Sequence, residues 1–341
     1  MPIQPAPTAV AEIATRLRIG VALLGGLWLA AQAGAEPPAA IAPDAIAAET
    51  VVPPSTAPSL ARLDRPITSP RPAGLTTPRL GQMWRRGIQL ERQQRFLEAA
   101  AHYEAMTQAA PRVPYAYWKV ARNYWRFAEG LPPDAKADRL PWFEKADEWA
   151  TRGIAVDPKC AECLLWKFGA MGRIGTTRGL VRSVRMAPEM EDLLERGIAL
   201  QPTYEDDITN STLGNLYYAG GVFYRLVPDW IWLDWLIGVR GDIDKSLEMI
   251  RHATQLNENR IDYQVELGAI LYCYAARKDA DWARDEARKV LLSTPSLPRR
   301  FATDEKDIEH AHKLMAKPEL ACGFSRDGWI DIDAERRRAG R

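Results

Sequence analysis

The chain has 341 residues, of which 45 are basic and 44 acidic, for a formal net charge of +1. A nearly neutral chain has no overall field to draw nucleic acid or an anionic membrane, so any electrostatic recognition must come from local patches. No nucleic-acid partner is expected.

At the N-terminus, Arg16 and Arg18 precede an apolar run over 19–31. Ala31-Gln32-Ala33 and Ala33-Gly34-Ala35 then fit the small-x-small rule of a signal peptidase. The run is short for a membrane span, so residues 1–35 read as a cleaved signal peptide. No cysteine near the cleavage site offers a lipid acceptor, and the expected location is periplasmic or secreted. Residues 36–80 follow with Pro37, Pro38, Pro53, Pro54, Pro58, Pro66, Pro70, Pro72 and Pro78, almost no aromatics and no hydrophobic period. Such a stretch buries too little apolar surface to offset its ordering entropy and reads as a flexible Pro/Ala-rich linker.

From Gly81 to residue 330, Trp, Tyr, Leu and Ala recur at helical spacing. One register recurs five times: a small or apolar residue, another four on, a third three further, and a stop five beyond. The instances are Ala99-Tyr103-Met106-Pro111, Ala146-Ala150-Gly153-Pro158, Met190-Leu194-Gly197-Pro202, Ser246-Ile250-Ala253-Glu258 and Ala283-Ala287-Val290-Pro295. Before each stands a shorter signature: Gly87 with Leu90, Val120-Ala121 with Tyr124, Phe168-Gly169 with Gly172, Leu213-Gly214 with Tyr217, and Leu267-Gly268 with Leu271. Small residues let paired helices approach closely, and proline ends the second helix because it cannot continue it. One helix pair cannot bury its own apolar face, whereas a stack can. The expected fold is all-α: an α-solenoid of about five tetratricopeptide-like (TPR-like) hairpins. A helix over 303–312, with Thr303 as N-cap, and an ordered turn over 318–329 should cap it, Cys322 and Trp329 docking on the open end. The basic tail 331–341, with Arg336-Arg337-Arg338 and Arg341, reads as a solvated end.

The registers resemble the tetratricopeptide family. Residues 158–329 further resemble the group holding the T component of TRAP transporters and the regulator of microtubule dynamics proteins. The segments that carry this are Cys160-Ala161-Glu162-Cys163 with Trp166, 177–183, Leu213-Gly214-Asn215-Leu216-Tyr217 and 241–247. That resemblance implies an exported helical-repeat protein serving solute uptake or holding an apolar ligand. The missing lipid-acceptor cysteine and the added N-terminal pair depart from it.

Between the paired helices, 121–146, 169–190 and 214–246 are far longer than 87–99, so insertions should gather along one edge, where solenoids build binding surfaces. The richest insertion, 219–241, holds Phe223, Tyr224, Trp230, Trp232 and Trp235 among aliphatic residues, with Arg225, Asp229 and Asp234 interrupting it. Those charges and Pro228 exclude a span, leaving two readings: an aromatic lid on the core, or an exposed wall for a partner, an apolar ligand or a membrane surface. In the 169–190 insertion, Arg178 and Arg182 share a helical face with Arg185, and either grip an anion or pair with Glu189, Glu191 or Asp192.

Cys160-x-x-Cys163 lacks the βαβ setting of a redox motif, the further ligands of a zinc site and the histidine of haem attachment. Disulfides among Cys160, Cys163, Cys273 and Cys322 suit an oxidising compartment, with connectivity open. His310 and His312, two apart, face different ways, and no phosphate loop or nucleophile motif occurs. No cofactor, metal or catalytic residue is expected. The sequence points to a non-catalytic binding protein of the cell envelope, for an apolar small ligand or a protein partner, on the insertion edge or concave face. The alternative is a scaffold without a ligand; self-association is open.

Overall fold

The computed structural model describes residues 67, 69, 71–179, 183–206, 210–301 and 303–330, apart from the side chains of residues 210, 232, 233 and 329. The expected signal peptide, nearly all of the linker and the basic tail therefore lie outside the described residues. What is described falls within one unit, Ser55–Arg341.

Five helix pairs follow one another: α1 (Pro78–Arg92) with α2 (Phe96–Ala109), α3 (Pro114–Gly130) with α4 (Lys136–Val156), and α5 (Ala161–Arg178) with α6 (Ala187–Ala199). Then α7 (Thr212–Leu226) pairs with α9 (Ile243–Leu256), and α10 (Ile261–Lys278) with α11 (Asp281–Ser293). A short helix, α8 (Ile231–Ile237), interrupts the fourth pair, and α12 (Asp304–Ala316) follows the fifth. The described extended structure amounts to two hairpins of two-residue strands: β1 (Glu205–Asp206) with β2 (Asn210–Ser211), and β3 (Phe324–Ser325) with β4 (Gly328–Trp329). Successive helices pack in chain order, and the first helices also pack on one another, α3 on α5, α5 on α7 and α7 on α10. This is an α-solenoid, with one face lined by the first helix of each pair.

The repeated register is the core. Ala99, Tyr103, Met106, Ala146, Ala150, Leu194, Ser246, Ile250, Ala253, Ala283 and Ala287 are fully buried. Helices α2, α4, α6 and α11 stop two or three residues before Pro111, Pro158, Pro202 and Pro295. Close approach demands the small residue in two pairs: a Cβ on Gly87 would sit 2.4 Å from the Tyr103 ring, and one on Gly268 2.5 Å from Leu291. The buried side chains form several clusters strung along the stack rather than one centre, as expected where each pair touches mainly its neighbours.

Two boundaries differ from the sequence reading. The helical body starts at Pro78, because proline fits the first helical position and Thr77 Oγ1 accepts the Leu80 N–H at 3.2 Å. Leu75, in the expected linker, is buried in the first cluster. At α12, Thr303 holds the N-cap position without a capping bond; Asp304 instead accepts the N–H groups of Arg300 and Phe301 at 2.5 and 2.8 Å.

Candidate functional site

The fourth-pair excursion is pinched at its base. Helix α7 ends before Pro228, and the returning chain donates Gly241 N–H to Pro228 O and Asp242 N–H to Tyr224 O, both at 3.0 Å. A Cβ on Gly241 would lie 2.0 Å from Val227 O, so only glycine closes this neck. Asp242 then caps α9, accepting from Asp244 and Lys245. Above the neck, α8 displays Trp235 at 89% exposure, Ile231 at 78% and Leu236 at 62%. Ile237, at the end of α8, and Val239 beyond it pack in a core cluster of the body.

The sequence-nominated aromatics thus divide. Phe223 and Tyr224 are buried: Phe223 meets Phe168 edge-on at 5.8 Å, and the Tyr224 hydroxyl donates to Glu191 at 2.7 Å while Lys245 lies 4.3 Å from its ring. They anchor the excursion and offer no contact surface. Trp230 is half-buried and Trp235 open; Trp232 lies on α8, with its side chain outside the described residues. Arg178 belongs elsewhere. It pairs with Glu144, not with the acids expected from sequence, beside a cleft of about 250 Å³ lined by Asp147, Lys167 and Glu189. Arg182 lies outside the described residues. A second cleft, about 380 Å³ and bordered by Asp244, Glu248, Arg251 and His252, is also charged. Neither is lined by the tryptophans.

Sequence reasoning missed the first-helix face. This face is filled by ion pairs and covered by two non-repeat segments. On α3, Lys119 and Arg122 are fully buried with Glu91 of α1 and Asp206 of β1. Lys119 Nζ lies 3.0 Å from Glu91 Oε2 and 3.4 Å from Asp206 Oδ2, while Arg122 donates to both carboxylates. Burial alone would raise the Glu91 carboxyl, but Arg122 and Lys119 outweigh it and hold it below the ordinary range. Burial, reinforced by Arg122, pushes the Lys119 ammonium down. Tyr103, Tyr115 and Trp118 wrap the cluster, with Lys119 Nζ 4.8 Å from the Trp118 ring. The sequence signal for such a face is weak: charged residues at i, i+3 and i+7 on α3 read as a solvated stripe until distant carboxylates are known to meet them.

Further along, Glu129 and Asp327 join Arg139 and Arg173, and Arg225 pairs with Glu266. The C-terminal segment lies on this face, tied by a Cys273–Cys322 disulfide; Cys160 bonds Cys163 at the start of α5, so all four cysteines are paired. Phe324 is buried against His310. The expected end cap is thus also a brace along the first-helix face. Among the described residues, no group of three or more His, Cys, Asp or Glu is placed to hold a metal ion, and no helix is long and apolar enough to cross a membrane.

No family model matches the chain, and no curated protein does. Among solved structures, the chain is similar to the crystal structure of a thermophilic TPR protein in Thermus thermophilus, at 16% identity over 69% of this chain and 98% of that one, with a TM-score of 0.46. The assignment of a TPR-like solenoid rests on the chain's own five helix pairs and their buried registers.

Proposed function

We propose that this protein is a non-catalytic recognition module that engages a protein partner through the α8 excursion. One observation carries the reading: Ile231, Trp235 and Leu236 stand exposed together on a helix held off the body by a pinched neck. With ordinary side-chain areas, they offer on the order of 500 Å² of apolar surface, the scale of a functional patch on a monomer. An aromatic anchor of this kind is the usual centre of a protein interface. Work in the cell envelope, including service to a TRAP-type uptake system, is the finer part of the proposal. It is supported by the N-terminal signal pattern and the motif order over 158–329, not by the geometry of α8.

The test places a photo-crosslinking amino acid at Trp235 in the producing cells, with another at the exposed Leu292 as control. The proposal expects one protein adduct specific to position 235, lost when Ile231 and Leu236 are changed to Ser. Native mass spectrometry of the purified chain checks the apolar-ligand alternative. A co-purifying lipid-like molecule, with no protein adduct at position 235, would overturn the protein-partner reading.

A further inference from the structure

Pairs in a solenoid normally touch only their neighbours, yet residues 318–330 tie the fifth pair to the second and third. The base of this strap is held twice. Cys322 is bonded to Cys273 of α10, and Arg225 of α7 donates to the carbonyls of Ala321, Cys322 and Phe324 at 3.1, 3.0 and 3.0 Å. Beyond Phe324 the chain turns back, Phe324 opposite Trp329 and Ser325 opposite Gly328, with Asp327 at the tip. Residues 325–328 are half-buried, whereas Ala321, Gly323 and Phe324 at the base are buried.

The tip seats its carboxylate between two arginines from other pairs. Asp327 accepts from Arg139 Nη1 and Nη2 at 3.0 and 3.3 Å and from Arg173 Nη1 at 2.9 Å. Glu129 accepts from Arg139 Nη2 at 2.9 Å and from Arg173. Burial opposes ionisation of Asp327, but Arg173 and Arg139 prevail and hold it below the ordinary carboxylate range. Together the four groups are neutral. If Asp327 withdraws, two largely buried guanidinium groups face one carboxylate, leaving a desolvated positive charge that is costly without a replacement anion. Planar guanidinium groups converging from two helices are suited to a carboxylate, and the acid in place comes from outside the repeats.

We propose that Arg139 of α4 and Arg173 of α5 form a carboxylate-binding site beneath the strap, with Asp327 as its tethered occupant and the Cys273–Cys322 bond keeping the strap seated. An acidic chain or a free carboxylate reaches the site only by displacing Asp327, whose short tether gives it an effective concentration in the mM range. Cutting the bond loosens the base. A dithiol reductant attacks the Sγ of Cys322, a half-buried residue, whereas Cys273 is fully buried. The bond between the two sulfurs breaks, and Cys273 leaves as a thiolate that takes a proton. The second thiol of the reductant then displaces Cys322, so two cysteine thiols form as the reductant becomes a disulfide.

The full-length oxidised protein is treated with phenylglyoxal, and modification of each arginine is followed by mass spectrometry. In the wild type, Arg139 and Arg173 should react slowly. In Asp327→Asn, and in Cys322→Ser, which spares Cys160–Cys163, they should react at least tenfold faster with helical circular dichroism retained. Millimolar acetyl-Ala-Asp-Gly-amide should restore protection in Asp327→Asn, and acetyl-Ala-Asn-Gly-amide should not. Protection by succinate as well would assign the site to carboxylates generally; protection by the peptide alone would assign it to acidic chains. Unchanged reactivity in Asp327→Asn, exposure only with loss of helix signal, or exposed arginines that no carboxylate protects would each overturn the proposal.

Discussion

Replacing Asp206 by Asn keeps the shape of the buried cluster and removes one of its two negative charges. Lys119 and Arg122 then keep Glu91 but lose the Asp206 carboxylate, at a site where Arg122 and Lys119 are 0% and 1% exposed. Removing one partner of a buried ion pair costs about 3–5 kcal/mol, because the surviving charge is left desolvated. Against a typical total stability of about 5–15 kcal/mol that is a large share. At about 2–4 °C per kcal/mol for a domain of this size, Tm should fall by roughly 6–20 °C. The loss has a pH signature. Asp206 is one of the groups supporting the Lys119 charge, and burial already holds that ammonium down. Without Asp206 it falls further below its unfolded value, so over that window the unfolded chain binds more protons and stability rises with pH. The penalty of Asp206→Asn should therefore shrink as pH rises toward the ordinary lysine range. Adding Lys119→Met removes one of the buried positive charges as well, and the double variant should be at least about 1 kcal/mol more stable than the sum of the singles. Urea denaturation followed by circular dichroism measures all three. A single-variant loss under about 1 kcal/mol, or strict additivity, would refute the buried network.

The helix contacts make a second, signed prediction. Gly87→Ala and Gly268→Ala push a Cβ into the Tyr103 ring and the Leu291 side chain, and overpacking of about 1–3 kcal/mol should outweigh the helix-propensity gain of about 1 kcal/mol. Gly169→Ala, at the same register, meets only Trp125 Nε1 at 3.6 Å and should raise thermal stability; equal effects at the three sites would contradict the packing. Burial, with Lys306 and Arg326 next, lowers His310 to about 4, against an unfolded value near 6.5. The unfolded chain thus binds an extra proton between those values, and stability drains as pH falls through the window. His310→Asn should gain on the wild type by up to roughly 3 kcal/mol at pH 4, read by urea midpoints at pH 4, 5.5 and 7. Asp307, raised to about 6 chiefly by burial, works in the opposite direction, so the two together flatten the wild-type profile. Finally, Trp235→Ser should move Tm by less than the equivalent of about 0.5 kcal/mol, as for an exposed surface position.

The helix pairs were legible because their cause is local. Ala99, Tyr103 and Met106 share one face of a single helix, and Pro111 ends it wherever the rest of the chain lies. The excursion was legible too, since Pro228 and the run of tryptophans break the pattern in sequence. Its division into the buried anchors Phe223 and Tyr224 and the open ring of Trp235 was not, because Phe223 differs from Trp235 only in lying before the neck that Gly241 closes. The inner face was hidden for a different reason. Asp206 reaches Arg122 across 84 residues, and Asp327 reaches Arg139 across 188. Spacing within a helix carries no trace of such partners.

The two disulfides bear this difference out energetically. In the chain-entropy model, a cross-link stabilises by restricting the unfolded chain, and the effect grows with the loop it closes. Cys160–Cys163 closes a separation of 3 residues and Cys273–Cys322 one of 49, which corresponds to about 1.5 and about 4 kcal/mol. The second also fixes the strap on α10, so its loss should free the strap as well as lower stability. Paired Cys→Ser variants, melted side by side, should therefore separate by about 2–3 kcal/mol, with the Cys273/Cys322 variant the weaker. Equal losses would mean that the brace on the inner face is held by Arg225, Phe324 and Asp327 alone, and that the long-range bond adds nothing to a face those contacts have already closed.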